Sequence, residues 1–182
     1  MPSGPSSKPA TRNSTLNAIA RMRVPLGFVF GAACLWLARP TASSVIAGAI
    51  VAIVGEAIRV WAAGHLEKGR EVTSSGPYRW SGHPLYIGSS VMGVGLAIGA
   101  SRLEVTLIVA VYLVVTLLAA IRTEEAHLAS AFGDEYARYR AGRAAGSARP
   151  FSWARVRANR EYRAALGLAG AIAALAFKAV WR

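Results

Sequence analysis

Apolar residues gather along the chain in five runs separated by short polar or basic stretches. The runs extend from about Val24 to Ala38, Ser44 to Ala63, Leu85 to Ala100, Val105 to Ile121 and Ala164 to Val180. A helix that crosses a bilayer needs about 20 predominantly apolar residues, within a range of roughly 17–25. The second, fourth and fifth runs reach that length with their flanks, whereas the first and third need neighbours such as Met22 and Ser101. All five are rich in Ala and Gly, which lets helix backbones approach closely in lipid. The pattern predicts an all-α fold, a multi-span integral membrane bundle of about five transmembrane helices. It forms a single domain over residues 21–182, behind a polar tail of residues 1–20.

Composition and charge sharpen this picture. The chain is 54% hydrophobic and 16% charged, against roughly 25% charged residues in soluble domains. A formal net charge of +12 raises nucleic acid as a partner. The basic residues, however, flank the apolar runs and are not interleaved with aromatics on a soluble fold, so no nucleic-acid partner is expected. Lys8, Arg12, Arg21 and Arg23 precede the first run, and Lys68, Arg70 and Arg79 lie between the second and third. The fourth and fifth are joined by a stretch with eight arginines from Arg138 to Arg163, including Arg143, while Arg39, Arg102 and Arg182 fall on the opposite side. Five spans with a cytoplasmic N-terminus put these three basic segments inside, and the Ala/Arg-rich composition points to a bacterial inner membrane. The Ser/Pro/Thr-rich start reads as a disordered cytoplasmic tail and lacks the early apolar core of a signal peptide. Cys34 is the single cysteine and lies in an apolar run, so neither an intramolecular disulfide nor a cysteine-based zinc site is available. The Arg138–Arg163 stretch reads either as a linker or as a surface helix drawn to anionic headgroups, with Phe151 and Trp153 as interfacial anchors.

Two motifs sit where apolar runs meet basic loops. The first is Gly76-Pro77-Tyr78 followed by His83-Pro84-Leu85-Tyr86-Ile87-Gly88. Gly-Pro marks a turn and Pro84 suits the first turn of a helix, so the third apolar helix is expected to start near Pro84. His83 and Tyr86 then share one face, while Gly88, Gly93, Gly95 and Gly99 keep parts of that helix bare for a ligand or a neighbouring helix. The second motif is Arg122-Thr123-Glu124-Glu125, with Leu128, Phe132, Tyr136 and Tyr139 continuing at helical spacing. Two carboxylates sit poorly at the C-terminal end of a helix. Either the helix continues beyond Ile121 or the acids meet something positive.

Glu56 and Arg59 are ionisable residues inside the second run, three apart. Residues of this kind mark functional sites within membranes, although an i, i+3 ion pair with a snorkelling arginine accounts for them as well. His65 reads as a structural interfacial histidine. With His65, His83 and His127 the full complement of histidines, and no His-Glu-x-x-His, Gly-x-Ser-x-Gly or phosphate-binding glycine loop, no metal centre is expected.

Together the two motifs, with Gly55-x-x-x-Arg59-x-Trp61-Ala62 ahead of them and Phe132-Gly133-x-Glu135-Tyr136-x-x-Tyr139 behind, resemble the isoprenylcysteine carboxyl methyltransferase family. Its wider group includes the phospholipid N-methyltransferases. The resemblance covers roughly Gly55 to Tyr139 and places a cofactor pocket mainly in residues 76–140. It implies an S-adenosylmethionine-dependent membrane methyltransferase whose cofactor contacts include Tyr78, His83, Tyr86, Glu124 and Glu125, with Gly93 and Gly95 giving the cofactor room. Arg59 and Glu125 stand as the candidate catalytic residues. Gly82 departs from the family pattern, which has an arginine or similar residue before the His-Pro pair; either contact with the cofactor's carboxylate is weakened there, or Arg79 or Arg122 supplies the missing cation. The implied partners are membrane lipids and a lipophilic acceptor, either an isoprenoid thiol or carboxylate or a phospholipid-like molecule. Two other readings stay open: a sterol-reductase-like enzyme using NADPH, and a catalytically inactive membrane scaffold.

Overall fold

The computed structural model describes residues 27, 29–142 and 149–181. The expected tail of residues 1–20, the start of the first apolar run and Arg143 lie outside the described residues. Among those described, every regular element is helical. Helix α1 covers residues 29–37. It is followed by α2 (Ala42–His65), a 3₁₀ turn (Gly76–Arg79), α3 (Pro84–Ala100), α4 (Leu103–Arg140), α5 (Trp153–Ala158) and α6 (Tyr162–Val180).

Local chemistry explains where these helices begin. Thr41 opens α2 with a capping box: its hydroxyl accepts from the Ser44 amide at 3.1 Å, and Ser44 Oγ accepts from the Thr41 amide at 2.9 Å. Pro84 begins α3, where a missing amide hydrogen costs nothing. The acidic pair of α4 is not at a helix end, because the helix runs on through Glu124 and Glu125 to Arg140. It is broken by Gly133, whose φ of 43° lies in the left-handed region, a conformation that glycine adopts without strain.

By length and apolar content α2, α4 and α6 are able to cross a membrane, and α3, at 17 residues, is a shorter apolar helix. Three spans are therefore visible among the described residues where the sequence pattern predicts five; α3 extends for about 25 Å, and α1 is described only in part. The outward faces carry exposed Ile46, Ile50, Leu107, Val111, Leu166 and Phe177. A continuous apolar surface of that kind calls for lipid contact.

The helices are locked together by a glycine seam. A Cβ on Gly48 would lie 2.5 Å from the Gly99 amide nitrogen, and one on Gly55 would lie 2.7 Å from the Gly88 carbonyl oxygen. The backbones of α2 and α3 thus touch, the close approach that small residues permit in membranes. A small core of Ala38, Val45, Ala100, Val105 and Leu175 closes the far end, where Lys178 Nζ donates to the Leu35 and Trp36 carbonyls at 2.6 and 2.7 Å.

At the opposite end α5 straps the C-terminus of α2. Ser152 N and Arg155 Nε both donate to the Gly64 carbonyl, at 3.0 and 2.7 Å. Asn159 Nδ2 donates to the Ala63 and Leu66 carbonyls, each at 3.0 Å. These are the carbonyls that a helix end leaves without intrahelical partners. Phe151 packs directly over Gly64, where a Cβ would overlap the ring. His65 is structural: its Nδ1 is 3.2 Å from Ser75 Oγ and its ring meets Phe151 edge-on.

Candidate functional site

The start of α3 and the middle of α4 bring the two motifs together. Tyr86, on the first turn of α3, donates its hydroxyl hydrogen to Glu124 Oε2 at 2.7 Å. His83, just before that helix, places Nε2 3.4 Å from Glu125 Oε1 and Nδ1 3.8 Å from Glu124 Oε2. The His83 and Tyr86 rings stack at 5.7 Å, as their three-residue spacing predicts. Glu125 also faces Arg140 Nη1 at 3.8 Å. The result is an imidazole and a phenol from one helix start set against two adjacent carboxylates from another.

The break at Gly133 gives this cluster its wall. It turns the last part of α4 so that Tyr136 is buried and Tyr139 donates its hydroxyl hydrogen to the Tyr78 carbonyl at 2.8 Å. Tyr78 itself is buried. Burial, followed by the nearby Glu124 carboxylate, pushes its phenol well above the ordinary range, so it stays neutral and is able to donate a hydrogen bond. His83 is pushed up as well, chiefly by the Glu124 carboxylate and further by Glu125, against the opposing effect of burial.

The other expected site residues are distributed differently. Gly93 and Gly95 lie in helix seams: a Cβ on Gly93 would meet Leu113 of α4 at 2.5 Å, and one on Gly95 would meet the Gly48 carbonyl oxygen of α2 at 2.6 Å. Their bareness serves helix packing in this structure, a reading the sequence pattern allows equally with room for a cofactor. Arg59 is only 3.7 Å from Glu56, yet its principal partner is Glu161 at the start of α6. Nη2 donates to both Glu161 oxygens, at 3.0 and 2.8 Å, and Nε donates to Oε2 at 3.2 Å. Arg59 Nη1 also donates to Ser89 Oγ of α3. Arg59 therefore joins three helices. Sequence reasoning misses Glu161 and Ser89; Glu161 sits in a basic stretch with no motif, 102 residues from its partner. Arg140 is a cation that faces the cluster, through Glu125, where the sequence pattern points to Arg79 or Arg122.

Among the described residues no group of three or more His, Cys, Asp or Glu side chains is arranged to hold a metal ion. A surface groove lined by Asp134, Ala137, Arg138 and Ala141 lies further along α4 and shares no residue with the cluster.

Fold and site define a helical protein with the apolar spans of a membrane protein and a carboxylate-rich cluster at one end of its bundle. The sequence pattern of the phospholipid methyltransferase family matches residues 28–135, and the chain belongs to that family. A stretch of 95 residues is 38% identical to the cobalt-zinc-cadmium resistance protein CzcN of Cupriavidus metallidurans, covering 50% of this chain and 43% of that protein. The match thus spans less than half the length of that relative. No solved structure matches the chain.

Proposed function

We propose that this protein is an integral-membrane methyltransferase that moves a methyl group from S-adenosylmethionine to a lipophilic acceptor at the cytoplasmic face. The observation that carries the reading is the meeting of His83 and Tyr86 with Glu124 and Glu125 in a chain of this family. The residues suit the cofactor chemically. His83 Nδ1 is buried without a hydrogen-bond partner among the described residues, and the two glutamates keep part of their side chains open to solvent. Carboxylates bind an ammonium or a pair of hydroxyls strongly, and the Tyr86 ring offers an aromatic face to a sulfonium.

When bound, S-adenosylmethionine supplies an electrophilic methyl group on a sulfonium centre. The chain's part is to bind, align and exclude water. Glu124 is held in place by Tyr86, leaving its second oxygen free of that bond. Glu125 is at hand to accept a proton from an amine acceptor; a thiolate or carboxylate acceptor needs no base. Arg59, clamped by Glu161 and Ser89, serves by fixing α2, α3 and α6 relative to one another. The acceptor is an isoprenoid thiol or carboxylate, or a phospholipid-like molecule.

Calorimetry on detergent-purified protein tests the cofactor. Binding of S-adenosylmethionine that is lost in His83→Ala and Glu125→Ala supports the reading; absence of binding by the parent protein sinks it. Displacement by NADPH would favour the reductase alternative instead. Mass spectrometry of lipid extracts incubated with isotopically labelled methyl donor then identifies the acceptor, and a bound cofactor without any labelled product leaves the scaffold reading.

A further inference from the structure

The arginines from Arg149 to Arg163 fall into two groups. Arg149 is paired with Glu67 and Glu71, at 3.3 and 2.8 Å. Arg155 lies 3.6 Å from Glu67 and donates to the Gly64 and Pro150 carbonyls. These two hold the strap on α2. Arg157, Arg160 and Arg163 are exposed and have no acidic partner among the described residues. The nearby acid, Glu161, is already committed to Arg59. Three cations spaced three residues apart are thus left uncompensated around the turn between α5 and α6.

The same turn is built to keep them there. Arg160 has a φ of 60°, a left-handed conformation that costs a non-glycine residue about 1–2 kcal/mol. The anchoring of Asn159 on α2 and the bond from the Glu161 amide to the Val156 carbonyl at 3.2 Å hold it in place. Exposed aromatics stand beside the cations: Trp153 is 71% exposed and Tyr162 49% exposed, the latter with the Arg163 guanidinium 6.0 Å from its ring centroid. Phe151, by contrast, is taken up by Gly64 and His65 and is not free to anchor. Aromatic rings with a polar edge beside unpaired arginines, at the start of an apolar span, match the headgroup layer of a bilayer.

We infer that Arg157, Arg160 and Arg163, flanked by Trp153 and Tyr162, form a recognition surface for anionic phospholipid headgroups. The occupant is the phosphate-bearing membrane surface, chosen because the patch is purely cationic, rimmed by membrane-interface aromatics and continuous with α6. This surface is separate from the His83–Glu125 cluster, and its test does not depend on methyl transfer.

The experiment uses full-length protein in nanodiscs of phosphatidylcholine, with and without phosphatidylglycerol. Lipid retained by the protein is read by native mass spectrometry after release into mild detergent. The parent protein is expected to retain phosphatidylglycerol preferentially, with a preference that falls as salt is raised. Arg157→Gln/Arg160→Gln/Arg163→Gln is expected to reduce that preference by roughly tenfold or more, and the corresponding triple lysine variant to keep most of it. Equal retention of both lipids by the parent protein, or a preference indifferent to salt, overturns the inference even if the triple glutamine variant fails to fold. Loss of the preference in the presence of inorganic phosphate at matched ionic strength would reassign the surface to a soluble anion and overturn it as well.

Discussion

Tyr86 on α3 and Glu124 on α4 are joined by a 2.7 Å hydrogen bond across 38 residues of sequence. That bond fixes one carboxylate of the acidic pair while the Tyr86 ring remains stacked on His83. Tyr86→Phe keeps the ring and removes the donor. A hydrogen bond to a charged group contributes about 1.5–3 kcal/mol in a buried setting, less where solvent reaches it, and the Glu124 side chain is 41% exposed. Tyr86→Phe is therefore expected to weaken S-adenosylmethionine binding by roughly tenfold, measured calorimetrically. Glu124→Gln should cost more, because it removes the charge itself. Parent-like affinity in Tyr86→Phe together with loss in Tyr86→Ala would assign the role to the ring alone.

The pair of Arg59 and Glu161 makes a prediction about stability. Their side chains are 19% and 7% exposed, and removing one partner of a buried ion pair leaves the other uncompensated, at about 3–5 kcal/mol. Glu161→Ala is expected to lower the unfolding midpoint in detergent sharply. Arg59→Met/Glu161→Leu, which removes both charges, should recover much of the loss. If the double variant is no more stable than Glu161→Ala, the two residues do not act as a pair.

His83 predicts a pH dependence. Its pKa is raised above the ordinary 6.5 mainly by Glu124, with Glu125 adding and burial opposing. A raised value means that the folded protein favours the protonated imidazole. The stabilisation is fully present below about pH 6.5, where His83 would also be protonated in the unfolded chain, and is lost as pH rises through the higher folded value. Unfolding midpoints of the ligand-free protein should fall as pH is raised from about 6 to about 9, and His83→Gln should flatten that slope. An unchanged slope in the variant would assign the dependence to other groups.

Much of this architecture is legible in the sequence, and the exceptions have physical reasons. Pro84 marks the start of α3 because its ring tolerates only a first-turn position. The adjacent acids Glu124 and Glu125 pose a dilemma at a helix end that the structure resolves by running α4 through them to Arg140. The His83–Tyr86 spacing foretells a shared face, since three residues make nearly one helical turn. Arg59 is legible as unusual, but its main partner is not, because Glu161 reaches it through tertiary packing and leaves no periodic trace. Glycines carry no direction in a sequence: the same bareness that would admit a ligand admits a neighbouring backbone, and at Gly93 and Gly95 the neighbours are α4 and α2.

The glycines supply a contrast that separates packing from propensity. A methyl group on Gly95 would fall 2.6 Å from the Gly48 carbonyl oxygen and 2.8 Å from the Ala52 Cα, both backbone atoms that cannot rotate away. Gly95→Ala must push α2 and α3 apart, and overpacking of that kind costs about 1–3 kcal/mol, partly offset by the better helix propensity of alanine. Gly170 on α6 has open space within 4 Å of the point where a Cβ would stand, so Gly170→Ala meets no obstacle and gains about 1 kcal/mol from propensity alone. Thermal unfolding of the two variants in the same detergent should therefore move in opposite directions. Because the α2–α3 seam also carries Ser89 to Arg59, Gly95→Ala should lower the cofactor affinity along with the midpoint, whereas Gly170→Ala should leave affinity unchanged. Two variants that shift the midpoint equally would show that the seam yields more readily than its backbone contacts imply.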